Sequence, residues 1–166
     1  MRTATHADRP HLTRPAVDLA ELIRAQARSR ELPLWAGRVL FGGYFIYSGL
    51  NHFLNLESMA TYVASKNIAS PEVAVALSGL LILLGGLSIL SGQWPRVGAL
   101  FIAVFLAVVT PTMHNFWAEA EPARAQQLAY FTRNLALLGA AFLAMVIPEP
   151  WNAQPPPARP APTDEV

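Results

Sequence analysis

His52 and His114 are the side chains of this sequence best suited to chemistry, and each stands next to an asparagine, Asn51 and Asn115. A neutral imidazole offers one hydrogen-bond donor and one acceptor, and it is also a competent metal ligand. A third polar group, Tyr130, Arg133 and Asn134, lies within AYFTRN, and Phe53, Phe116 and Trp117 supply aromatic surface beside the histidines. Three kinds of role fit these residue types. A quinone carbonyl could accept a hydrogen bond from His52, His114 or Arg133 while Trp117 and Tyr130 flank its ring. Two imidazoles could instead ligate a haem iron or another metal. In the third role the same groups only satisfy one another at a membrane surface, within an ordinary belt of aromatic residues. Arg133 could hold Glu57 or an anionic ligand, with Gln126 nearby, or simply anchor a helix end.

The elements that must position these residues are four apolar stretches. The third, residues 97–118, reads VGALFIAVFLAVVTPTMHNFWA and contains no Asp, Glu, Lys or Arg. At about 1.5 Å per residue such a helix crosses a hydrocarbon core of roughly 30 Å. The others are residues 34–54, 73–93 and 128–147. The chain is 53% hydrophobic and only 14% charged, against about 25% charged in a soluble domain. An all-α, polytopic membrane protein is therefore expected: a four-transmembrane-helix bundle with a short extramembrane helix near residues 57–64. The expected organisation is an N-terminal tail over 1–33, with an amphipathic helix over 17–31, a membrane domain over 34–147 and a disordered Pro-rich tail over 148–166. The first apolar stretch begins too far along the chain for a signal peptide, so the whole chain is read as mature.

Pro71 is suited to the first turn of a helix, Gly92 to Pro95 to a tight turn, and Pro148 and Pro150 to stopping the last span. Gly42, Gly43, Gly49, Gly79, Gly85 and Gly86 could admit close helix contact. Arg38 lies one turn inside the first stretch, where its long side chain can reach headgroups. Spans one and three run in the same direction, which brings His52 and His114 to one end of the bundle together with the start of span four. Residues 1–38 hold seven Arg against four acids, and Arg96 falls on the same side. By the positive-inside rule both termini are expected in the cytoplasm and the histidine end outside.

The absence of Cys rules out thiolate ligation and disulfides within this chain. There is no phosphate loop, dinucleotide fingerprint or HExxH motif. A formal net charge of +1 without a dense basic block gives no reason to expect nucleic-acid binding. The residues alone name no reaction, so whether the chain is itself an enzyme stays open.

The fragments GR and SGLNHF in the first stretch, YVASKN after it, LLGGLSILSGQWPR, HNFW and FTRNLALLGAAFL occur in an order that resembles the DoxX family of small four-span membrane proteins. The resemblance runs over residues 34–147. It implies a bacterial inner (plasma) membrane location and, in some members, a place in quinone-linked oxidoreduction or an oxidative-stress complex. Relatives include the membrane subunit of thiosulfate:quinone oxidoreductase. The positions carried over are Arg38, His114 and Asn134, with Gly85 and Gly86 as packing positions. Many relatives place a Glu near Ile82, so thiosulfate specificity is not expected here. The combined expectation is a membrane subunit of a redox or respiratory complex, embedded in lipid beside another redox subunit or a second copy of itself. His52 and His114 would meet a quinone headgroup and Asn134 would fix one of them. The alternative is a structural membrane adaptor without catalytic activity.

Overall fold

Proline and glycine set the boundaries of the helices, and long apolar runs fill them. The computed structural model describes residues 31–149 and Trp151, and the regular structure among them is entirely helical. Two compact units are distinguished, Met1–Trp35 and Ala36–Val166. In the first, the described residues 31–35 are helical. The second begins with two α-helical residues and a π-helical turn, Arg38–Gly42, which leads into α1, Gly43–Leu54. It continues through α2, Leu56–Ser65, α3, Pro71–Ser91, and α4, Pro95–Met113. A 3-10 turn, Phe116–Ala118, precedes α5, Ala123–Val146.

Pro71 and Pro95 occupy the first turns of α3 and α4, where a missing N–H costs nothing. Gly92 closes α3 at φ 70°, a left-handed cap open to glycine without penalty. Beyond Val146 the backbone turns extended at Ile147, next to Pro148. The short helix expected near 57–64 is α2. Two boundaries differ from expectation. α4 stops at Met113 rather than at 118, although Pro111 remains within it, and α5 begins at Ala123, five residues before its apolar run. The expected amphipathic helix over 17–31 lies outside the described residues except for Glu31, and so does nearly all of the Pro-rich tail.

Three helices among the described residues are long and apolar enough to cross a membrane: Pro71–Ser91, Pro95–Ala118 and Ala123–Val146. The expected first span is helical over 36–54 but divided by the π turn. Its α1 portion has 12 residues, a rise of only about 18 Å. The outward faces suit lipid: Leu77 on α3, Val108 on α4 and Leu143 on α5 are all exposed.

Helix α1 with its π turn packs on α3, α3 on α4, and α4 on α5. The first of these contacts is a glycine seam. A Cβ added to Gly86 would lie 2.7 Å from the Gly42 carbonyl oxygen, and one added to Gly49 would lie 2.9 Å from that of Gly79. Gly42 and Gly49 are seven residues apart, as are Gly79 and Gly86, so two antiparallel helices touch backbone to backbone at two levels. Gly85 and Gly98 repeat the contact between α3 and α4, at 2.7 Å from Gly98 to the Gly85 carbonyl. Such close approach replaces the hydrophobic drive that lipid removes. Gly43, expected to share in this packing, faces open space. Beside the seam, Phe45, Ile82, Ile89, Ile102 and Leu106 form the buried core, completed by Ala141 and Ala144 of α5.

At the end of the bundle away from the histidines, Arg38 donates from Nε and Nη2 to the Leu90 carbonyl at 3.1 and 2.7 Å. The carbonyls of a last helical turn lack intrahelical donors, and a cation there also complements the helix dipole. Arg38 is thus a cap on α3, a more specific role than the expected headgroup anchor.

The seam yields a paired prediction. Gly86→Ala, whose methyl would meet backbone atoms, should destabilise the protein by about 1–3 kcal/mol. Gly139→Ala, with nothing within 4 Å of its Cβ, should be neutral or stabilising by up to about 1 kcal/mol. Denaturant unfolding in detergent micelles measures both, and equal effects would mean that the seam is not a tight contact.

Candidate functional site

Residues four apart on a helix share a face, and three helices turn such faces toward one space. Ser48 and His52 project from α1, Phe101, Phe105 and Thr112 from α4, and Arg133 with Asn134 from α5. Together with α3 they enclose a cavity of about 990 Å³. Met59, Tyr62 and Val63 of α2 close it at the histidine end, and His114 joins the lining there. Apart from Tyr44 and Ser78, the rest of the walls is apolar. Part of the rim consists of Leu77, Leu80, Leu84, Val104 and Val108, all exposed on the outward faces of α3 and α4. The space therefore opens sideways between helices as well as lying beneath α2.

His52 is fixed by its own helix. Its Nδ1 lies 2.8 Å from the Ser48 carbonyl oxygen, and a carbonyl can only accept, so Nδ1 carries the proton. The ring meets Phe105 edge to face at 6.0 Å, and its Cβ fits against α3 because Gly79 has no side chain there. Among the described residues, Nε2 has no partner.

His114 is fixed by a chain of donors. Tyr62 donates its O–H to the Met113 carbonyl at 2.9 Å. The Tyr62 oxygen accepts from Gln127 Nε2 at 3.2 Å, and Gln127 Oε1 faces His114 Nδ1 at 2.9 Å. The ring also stands edge to face against Tyr130, 5.4 Å away. This chain joins the short helix α2 to the end of α4 and the first turns of α5. Lys66 makes a second link, donating to Asn115 Oδ1 at 2.8 Å and to Glu119 Oε1 at 2.9 Å.

Asn134 is 5% exposed and lines the cavity. Its side chain has no hydrogen-bond partner among the described residues, and it does not hold either histidine, as had been expected. Those tasks fall to Ser48 and Gln127. Arg133 is exposed and lies over the Tyr130 ring, with Cζ 4.9 Å from the centroid. No carboxylate pairs with it among the described residues. Glu57 lies instead in a separate depression with Glu72.

Four of the six expected site residues, His52, His114, Arg133 and Asn134, line one cavity. Tyr130 touches both His114 and Arg133 from outside it, held by Gln126 Nε2 at 2.9 Å. Trp117 is not brought in. It is exposed and packs with Phe116 and Phe131, 5.2 and 5.8 Å away, because the chain leaves α4 before reaching it. Phe53 is likewise exposed. The aromatic lining comes from Tyr44, Phe45, Phe101 and Phe105 together with Tyr62 of α2, and the available signal was the spacing of four between Tyr44 and Ser48 and between Phe101 and Phe105. Gln127, Tyr62 and Lys66 carried no such signal as organisers of the site.

The Lys66–Glu119 pair is partly shielded, with side chains 15% and 30% exposed. A double-mutant cycle with Lys66→Met and Glu119→Gln should give a coupling of about 1 kcal/mol that shrinks with added salt. Zero coupling would leave the Tyr62–Gln127 chain and the Lys66–Asn115 hydrogen bond as the polar ties of α2 to α4 and α5 among the described residues.

No curated protein and no solved structure matches the chain. The DoxX family model matches residues 34–115, so the family likeness is established from the first helical segment through His114 and Asn115, while α5, which brings Arg133 and Asn134 to the cavity, lies beyond the match.

Proposed function

We propose that the chain is a four-span DoxX-type subunit of a redox or respiratory complex in a bacterial plasma membrane, and that its cavity takes a quinone-class ligand. The observation that carries this reading is the cavity itself: about 990 Å³, mostly apolar walls, and polar side chains in its lining that include His52, His114, Arg133 and Asn134. That size and composition are typical of sites for lipophilic small molecules. The apolar rim on α3 and α4 would let such a ligand enter from the bilayer, and the polar side chains would hold its head.

The first span in this reading comprises residues 34–54. Continuous helix over 36–54 and its glycine contacts along α3 support it. Both termini are assigned to the cytoplasm from the arginine excess before the first span. An electron carrier would come from a partner subunit, since this chain supplies binding and orientation. A partner redox protein or a second copy would lie against the exposed apolar faces, which otherwise meet lipid.

Asn134 separates this reading from its rival. An unpartnered amide in an apolar cavity gains nothing from the fold, so Asn134→Leu should leave thermal stability unchanged or raise it. The same change should weaken binding of a short-chain ubiquinone by about tenfold, measured by fluorescence quenching in nanodiscs. Unaltered affinity would remove Asn134 from the site. Mass spectrometry and optical spectra of the natively purified complex provide the wider check: co-purified quinone supports the proposal, and a Soret band without quinone would assign the histidines to haem.

A structural adaptor is the second reading, favoured by the Met113–Tyr62–Gln127–His114 chain, whose members satisfy one another within the protein. It requires that His52→Phe and His114→Phe together reduce assembly with a partner while no quinone is bound by the unsubstituted protein.

A further inference from the structure

We infer that the cavity selects a head that donates hydrogen bonds, so that within the quinone class it favours the hydroxyl-bearing quinol over the carbonyl-bearing quinone. This rests on the quinone-class reading above and adds the form of ligand that the site prefers.

Proton placement on the two imidazoles decides this preference. Heavy-atom positions do not show which imidazole nitrogen bears hydrogen, but an unambiguous partner settles it. For His52 the partner is the Ser48 carbonyl at 2.8 Å, which has no proton to give. Nδ1 is the donor, and in the neutral ring Nε2 is left with a lone pair. For His114 the same result follows in three steps. The Met113 carbonyl only accepts, so the Tyr62 hydroxyl spends its proton there. The Tyr62 oxygen must then accept from Gln127, which points the NH2 of that amide at Tyr62. The amide oxygen therefore faces His114, and Nδ1 donates to it. Nε2 is again the acceptor.

Both histidines that line the cavity thus hold their protons on the nitrogens engaged by protein, and neither Nε2 has a partner among the described residues. A carbonyl head would find donors at Asn134 and Arg133 and at the lining hydroxyls of Tyr44 and Ser48, but it would still leave both imidazole lone pairs unmatched. A hydroxyl head donates to an imidazole Nε2 while its oxygen accepts from Asn134 or Arg133. Both imidazoles are half-buried, and a site whose shielded acceptors go unpaired discriminates against ligands that lack the matching donor. The Asn134 amide both donates and accepts, so it tolerates either form and does not decide between them. The two histidines do.

The test uses the full-length chain in nanodiscs with 15N-labelled histidine. Long-range 1H–15N spectra should show Nδ1–H tautomers at His52 and His114, with pyridine-type Nε2. An Nε2–H form at both positions would overturn the inference whatever the ligand. Short-chain ubiquinol, measured anaerobically, should bind at least about tenfold tighter than the matching ubiquinone, and the dimethyl ether of the quinol should bind as weakly as the quinone. Equal binding of all three would overturn donor selectivity while keeping the quinone-class site. Binding of none would overturn the quinone-class reading itself, with the spectra still reporting the tautomers. Gln127→Leu removes the acceptor that holds His114, and Tyr62→Phe frees the Gln127 amide to rotate. Whichever variant folds should show a mixed His114 tautomer and a smaller quinol preference, and an unchanged tautomer in a folded variant would contradict the donor chain.

Discussion

The close approach of α1 and its preceding turn to α3 is the constraint on which the site depends. In lipid, burying a leucine against another helix gains little, because hydrocarbon surrounds it either way. Stabilisation must come from dense contact, and density requires that side chains be absent. Gly42, Gly49, Gly79 and Gly86 provide that absence at two levels. The same seam sets the position of His52, whose Cβ occupies the space that Gly79 leaves. A larger residue at 79 would move α1 outward and carry His52 with it. Packing and site geometry are therefore one feature of the sequence.

The histidine end of the bundle is organised differently. There the chain re-enters polar surroundings, and backbone groups at the ends of α4 and α2 need partners. Tyr62 meets one of them, the Met113 carbonyl, and transmits that fixed direction through Gln127 to His114. Lys66 bridges α2 to Asn115 and Glu119. The short helix is thus fastened across the end of the cavity by neutral and charged links together. At the opposite end, Arg38 on the Leu90 carbonyl and Glu149 on the Arg96 amide, 2.9 Å away, perform simpler capping.

Much of this was legible in the sequence because lipid imposes length. A helix that crosses hydrocarbon shows itself as an unbroken apolar run, and Pro71, Gly92 and Pro95 mark the turns between runs. Alternating direction then brings His52 and His114 to one end without any knowledge of packing. Rotational phase was harder to read. In α3, Ile82 and Ile89 are buried while Leu80, Leu84 and Leu87 are exposed, yet all are equally apolar, so hydrophobic periodicity does not separate them. The glycines separate them, since Gly79, Gly86 and the two isoleucines are buried together. The π turn was also invisible, and it is what divides the first span. Trp117 was misplaced because the end of α4 was read from apolarity, whereas polar backbone needs at Met113 and His114 end it earlier. Gln127 had no chance of recognition, since a glutamine near a helix start is ordinary and only its two partners make it an organiser.

The placement of polar and apolar lining has a consequence for how any ligand lies. His52, His114, Arg133 and Asn134 come from α1, the end of α4 and α5, whereas the exposed leucines and valines of the rim lie on α3 and α4. A water-soluble molecule approaching from the histidine end meets α2 and its tie through Tyr62, Gln127 and Lys66. A lipid-soluble one meets only leucine and valine at the side and reaches the polar groups with its head while its tail stays in hydrocarbon. Desolvation then favours the second route at every step, because no charged group of the ligand must leave water and no hydrogen bond of the roof must break. The exposed rim of the cavity on α3 and α4 is the feature that makes the proposed membrane-dissolved ligand a better match than an aqueous substrate.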